Sequence, residues 1–211
     1  MKSKYSLALF SAFVFLSGCA SFKLAGDVQA GRQALILGNH EAALAHFQRA
    51  ANSDPEFVMP FGVFREGVWT YVGRANYATG KMPEARRNFE RALAVYQDDS
   101  LARLYLGLVL VQDGDRPRGL KEVESGMRGL YDWLEYITYN TRYGQFWDPR
   151  REIRSEIQNN LAMISRQEID LQRLIAGGES VGTKMEVEID LAYRDERTDI
   201  QSQNGSGGTE P

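Results

Sequence analysis

Residues 69–92 read WTYVGRANYATGKMPEARRNFERA, and residues 103–126 read RLYLGLVLVQDGDRPRGLKEVESG. Gly73, Gly80, Ala85, Phe89 and Ala92 of the first stretch stand 34 residues ahead of Gly107, Gly114, Gly119, Val123 and Gly126 of the second. A fixed period of that size marks a stack of supersecondary units, each unable to bury its apolar face alone. A third copy lies upstream at Gly31, Gly38, Ala43, Phe47, Ala50 and Pro55, displaced from the middle copy by 42 residues, the same period with eight residues added. The addition is expected within Phe57–Phe64.

Each copy predicts two antiparallel helices. Gly31, Gly73 and Gly107 fall where the first helix of a pair approaches the second, and Ala43, Ala85 and Gly119 give that contact a small side. Gly38, Gly80 and Gly114 fall at the turn, where the backbone needs a conformation that a side chain penalises. Pro83 and Pro117 stand at equivalent places just inside the second helices, where a missing N–H costs least. Trp69, Val72, Gly73, Ala85 and Phe89 together resemble the tetratricopeptide repeat. The resemblance covers about residues 24–133, with repeats at about 24–57, 66–99 and 100–133. The outer copies depart from it: Asp27 and Arg103 stand in the tryptophan position, and Gly126 replaces an alanine. The expected fold is an all-α helical-hairpin solenoid of about three repeats, with a C-terminal helical cap and a disordered tail.

The rest of the composition narrows the function. The chain has 211 residues, 43% of them apolar, with 25 basic and 28 acidic side chains and a net charge of −3. That balance offers no basic face for nucleic acid. One cysteine excludes a disulfide framework and paired-cysteine zinc or redox motifs. His40 and His46 are the two histidines, and six residues of helix turn them roughly 600° apart, so they cannot share a metal. No cofactor is expected.

Residues 1–18 carry two lysines, an apolar run from Leu7 to Leu16 and then small residues, the layout of an export signal. Ten residues span ~15 Å as a helix, about half a bilayer core. Leu16-Ser17-Gly18-Cys19 resembles the bacterial lipobox, and the resemblance implies diacylglyceryl attachment at Cys19, cleavage before it and acylation, as with palmitate, of the new amino terminus. Acyl chains at ~0.8 kcal/mol per buried methylene make such an anchor nearly permanent. Ala20 rather than aspartate follows Cys19, which by the same resemblance favours the outer membrane, facing the periplasm.

Beyond the repeats, residues 134–194 read as a helical extension and 195–211 as a tail too polar to offset its ordering entropy. Tyr131, Trp133, Tyr136, Tyr139, Tyr143, Phe146 and Trp147 make an aromatic segment, suited to closing the end of the stack or to stacking sugars. Asp148-Pro149 reads as a helix cap followed by a first-turn proline, and a capping box at Ser165-x-x-Glu168 predicts a short helix ending at Gly177-Gly178. Residues 185–193 alternate as a strand would, yet Val181, Met185, Ile189 and Ala192 also share one helix face, and helix is the expectation. Gly178-Glu179-Ser180-Val181-Gly182 matches the hydrolase elbow G-x-S-x-G, but that motif acts between a strand and a helix, and here a helix precedes it. Glu186, Glu188 and Asp190 read as a solvated acidic face. No enzymatic activity is expected.

The family resemblance implies a concave surface lined by the first helix of each pair. The residues after the repeat glycines, Arg32, Arg74 and Leu108, point into it, with Tyr77, Leu104 and Gln112 beside them. Two cations beside an apolar strip suit a peptide with a carboxylate and an apolar anchor. The C-terminal helices of the same chain fit the groove equally well. The implied function is a scaffold that binds an envelope protein or peptide, in the manner of lipoproteins that help assemble pilus, secretin or outer-membrane complexes. The alternative is a peptidoglycan- or glycan-binding module using residues 131–147.

Overall fold

Each of the three repeats folds as an antiparallel helix pair. The computed structural model describes residues 23–61, 64–166 and 169–205; the leader, Cys19 and Glu168 lie outside them. The first pair is α1, residues 23–36, with α2, His40–Ser53; the second is α3, Val68–Ala78, with α4, Met82–Val95; the third is α5, Ser100–Gln112, with α6, Arg116–Asn140. The chain closes with a 3-10 turn at Gly144–Phe146, then α7, Glu152–Ser165, and α8, Leu171–Gly205. The architecture is an all-α helical repeat, and no described helix is long and apolar enough to cross a membrane.

The repeat signature is a record of contacts. Gly38, Gly80 and Gly114 hold φ of 75°, 74° and 94°, the left-handed geometry that ends the first helix of each pair. In the first two turns the amides of Asn39 and Lys81 reach back to the carbonyls of Ala34 and Asn76, at 2.8 and 2.9 Å, satisfying carbonyls that the helix leaves open. A Cβ on Gly31 would lie 2.4 Å from the Phe47 ring, and one on Gly73 would lie 2.5 Å from that of Phe89. In the third pair Val123 replaces the ring, and the helices themselves close in: a Cβ on Gly107 would meet the Val123 amide at 2.5 Å. Pro83 and Pro117 sit in the first turns of α4 and α6.

Pairs join through an aromatic stack that also repeats. Phe47 lies on Tyr71 with centroids 4.9 Å apart, and Phe89 lies on Tyr105 at 5.7 Å. Tyr71 and Tyr105 are 34 residues apart, so the same joint recurs despite the eight extra residues between Phe47 and Tyr71. Those residues form an antiparallel hairpin, β1 (Val58–Phe61) with β2 (Phe64–Gly67), pairing Val58 with Gly67 and Phe61 with Phe64. On β2, Phe64 and Glu66 are buried while Arg65 is exposed. Asp99 fastens the hairpin to the third pair: its Oδ1 accepts from the Ala102 amide at 2.9 Å, capping α5, while its Oδ2 accepts from the Gly67 amide at 3.0 Å and the Thr70 hydroxyl at 2.6 Å.

After the repeats the chain departs from expectation in four places. Helix α6 runs to Asn140, past the expected end of the third repeat, and carries part of the aromatic segment. Asp148 does cap α7, accepting the Ile153 and Arg154 amides at 3.0 Å each, but from four residues ahead of Glu152, so Pro149 lies outside the helix. Ser165 ends α7 instead of capping a new helix, and Asp170 starts α8 by accepting the Arg173 amide at 3.1 Å. Gly177-Gly178 stops nothing, because α8 runs unbroken for 35 residues from Leu171 to Gly205 and takes in the first part of the expected tail. The reason is packing. A Cβ would come within 2.4 Å of the Asn160 amide at Gly177, 2.8 Å of Leu108 at Gly178 and 2.1 Å of the Tyr105 hydroxyl at Gly182, so these glycines let α8 lie close to its neighbours. Leu174, Val181, Met185, Ile189 and Ala192 form its buried face.

Candidate functional site

The concave face of the stack is where α1, α3 and α5 present the residues that follow the repeat glycines, and α8 lies along it. Arg32 is 0% exposed and Arg74 4%. Guanidinium groups buried that far need a partner for every charge. Glu186 supplies it to both. Its Oε1 is bonded by Arg32 Nε, and its Oε2 accepts from Arg74 Nη1 at 2.5 Å. Arg32 also donates to the Glu186 carbonyl and to Asp190 Oδ1, each at 3.0 Å, and Arg74 donates to the Gly182 carbonyl at 3.2 Å. One α8 carboxylate thus bridges two cations 42 residues apart in sequence.

The hairpin brings a second acid to the same place. Glu66, 0% exposed, accepts from Arg74 Nη1 at 3.0 Å. Burial, opposed by Arg74 and reinforced by Glu186 and Asp99, pushes its carboxyl up to about 8, so at neutral pH it is held mainly protonated. That leaves Glu186 and Asp190 as the carboxylates opposite the two guanidiniums, a balanced set. For Arg74, burial works against the charge, and Glu66 and Glu186 outweigh it and hold its pKa well above the usual value.

Farther along the face, the Tyr77 hydroxyl donates to Glu179 Oε1 at 2.7 Å and accepts from the Gln112 amide at 2.6 Å. Burial first, then the Glu179 bond, raises the Tyr77 phenol, which stays neutral. Leu104 and Leu108 are fully buried, with Leu108 against Gly178. Of the two occupants left open for the groove, a partner or the chain itself, the structure shows the second: α8 covers Arg32, Arg74 and Leu108, and Leu104 is buried as well, so these four residues are no free partner-binding surface. Tyr77 and Gln112 instead border a remaining cavity of about 410 Å³ between α8 and the turn end of the first two pairs, where Leu35, Ile36 and Met82 add apolar wall.

The acids of α8 do not form one cluster. Glu186 faces the arginines, Glu188 accepts the Asp148 amide at 2.6 Å, and Asp190 is half exposed beside Arg32. The G-x-S-x-G stretch lies inside a continuous helix rather than at a strand-to-helix turn. The face's decisive residues, Glu66, Glu179, Gly182 and Glu186, are ones that the repeat pattern does not single out. The spacing of Glu179 and Glu186, seven apart with Gly182 between, puts them on one face of α8 and is the signal that marks them. Compared with known proteins, the chain matches no family model and no curated protein.

Proposed function

We propose that the chain is a membrane-anchored envelope lipoprotein, held through an acylated Cys19 in the outer membrane facing the periplasm. Its tetratricopeptide-like stack acts there as a non-catalytic protein–protein interaction scaffold in envelope assembly. The observation that carries the scaffold reading is the unfilled section of the concave face. Along most of its length α8 satisfies the groove, but at the 410 Å³ cavity an apolar wall and the exposed Gln112 side chain stay open to a partner, with the buried Tyr77 hydroxyl beside them. A partner segment would seat an apolar side chain against Leu35, Ile36 and Met82 and reach the Tyr77–Gln112 pair with its backbone or a polar group, an arrangement typical of small, mostly apolar recognition pockets.

The experiment has two arms. Labelled fatty acid should enter the wild-type chain and not Cys19→Ser, which should accumulate as a heavier precursor; label in both, or in neither, contradicts the anchor. A photoreactive residue at Gln112 should give a discrete adduct with an envelope protein, while one at the exposed Arg87 on α4 should not. Equal adducts from both positions would remove the cavity as the working surface.

A further inference from the structure

We infer that a second, larger cleft, independent of α8, is a binding site for an amino sugar bearing a carboxylate. It has a volume of about 860 Å³ and is walled by β2, the α4–α5 connection, the start of α5 and the middle of α6. That volume falls within the ~300–1,000 Å³ of small-ligand sites. No residue of α8 lines it.

Its floor is an aromatic platform fixed from behind. Trp133 is half-buried and lines the cleft, packed edge-on against Phe64 and against Trp147, both at 5.0 Å between centroids. A ring braced on two sides presents its remaining surface without an ordering cost, and the apolar C–H face of a pyranose suits such a surface. Gly129 keeps the space open, since a Cβ there would come 2.3 Å from the Ser100 hydroxyl.

Around the platform stand hydrogen-bonding groups with no work elsewhere. Arg65, the outward residue of β2, and the side chains of Gln97, Asp98, Ser100 and Ser125 line the cleft, and none makes a side-chain hydrogen bond with another described residue. By contrast Arg103, on the same wall, is held by Glu122 at 3.2 Å and by the Gln97 carbonyl at 3.1 Å. Hydroxyls, an amide and a carboxylate at the rim of an aromatic ring match the equatorial hydroxyls and acetamido group of a sugar lying on it. The Arg65 guanidinium makes no ion pair among the described residues and can grip a carboxylate with two parallel bonds. An acidic amino sugar satisfies all of these features, and a neutral one leaves Arg65 idle.

Calorimetric titration of the full chain with the disaccharide of N-acetylglucosamine and N-acetylmuramic acid, and separately with chitobiose, which lacks the carboxylate, tests this. Saturable binding of the first is expected, with Ser125→Trp, a filling substitution at an exposed helix position, lowering it at least tenfold. Arg65→Ala should weaken the acidic disaccharide about tenfold, the scale of one charge-assisted contact, and leave chitobiose unchanged. Failure of the acidic disaccharide to bind, binding indifferent to Ser125→Trp, or complete displacement by an acidic peptide would overturn the assignment. Melting temperatures of both variants within a degree or so of wild type would assign any loss to the cleft.

Discussion

Glu186 is the residue on which the concave face turns, because two buried guanidiniums share its carboxylate, Arg32 with Asp190 beside it and Arg74 with Glu66. Removing one member of such a set leaves charge stranded in the interior and costs about 3–5 kcal/mol. Glu186→Ala and Arg74→Glu should therefore both lower the melting temperature strongly, whereas Arg87→Glu on the exposed face of α4 should change stability by less than ~0.5 kcal/mol. Equal melting temperatures for Glu186→Ala and wild type would contradict the ion cluster. Glu66 makes the same place sensitive to pH. Its carboxyl lies near 4.5 when unfolded and up to about 8 when folded, facing Arg74, Glu186, Asp99 and Tyr71. Between those values the native chain holds a proton that the unfolded chain has lost, so this contribution is complete below 4.5, declines as pH rises and is gone above about 8. Glu66→Gln keeps an acceptor for Arg74 and cannot ionise. Its melting temperature should fall less than that of wild type between about pH 6 and about pH 8.5, and parallel curves would contradict the assignment.

At the scale of elements, glycine lets the two helices of a pair come close, and aromatic rings join one pair to the next. Gly107 meets backbone across the pair, where nothing can rotate away, so Gly107→Ala should destabilise by about 1–3 kcal/mol. Gly26 has nothing within 4 Å of a Cβ and lies in α1, so Gly26→Ala should stabilise by up to about 1 kcal/mol. Thermal unfolding of both reads the contrast, and a loss at Gly26 equal to that at Gly107 would mean that the register is wrong. Ala85, fully buried between α3 and α4, should behave like Gly107 when replaced by Leu. These pairs are legible in the sequence because their contacts are local and recur every 34 residues. The hairpin is not, since four-residue strands in a single insertion have no period to reveal them. Gly177-Gly178 misleads for a related reason: two glycines read locally as a stop, and only Asn160 and Leu108, distant in sequence, show that they are points of close approach.

For the whole molecule, the sequence identifies the groove residues and leaves its occupant open, because the link between Arg32 and Glu186 spans 154 residues and no repeat records it. The structure assigns α8 to that place, which turns the concave face from a surface into a core. Truncation after Asp170 should uncover Tyr105 and Leu108, which α8 packs against, and make the chain more prone to self-association, as large exposed apolar patches do. The most direct measurement is native-state hydrogen exchange along α8. Amides of residues 174–192 should exchange only with global unfolding, in step with those of α3 and α5, while residues 195–205, beyond the buried face, exchange much faster. Exchange of residues 174–192 within seconds, with α3 and α5 still protected, would contradict a groove filled by its own helix.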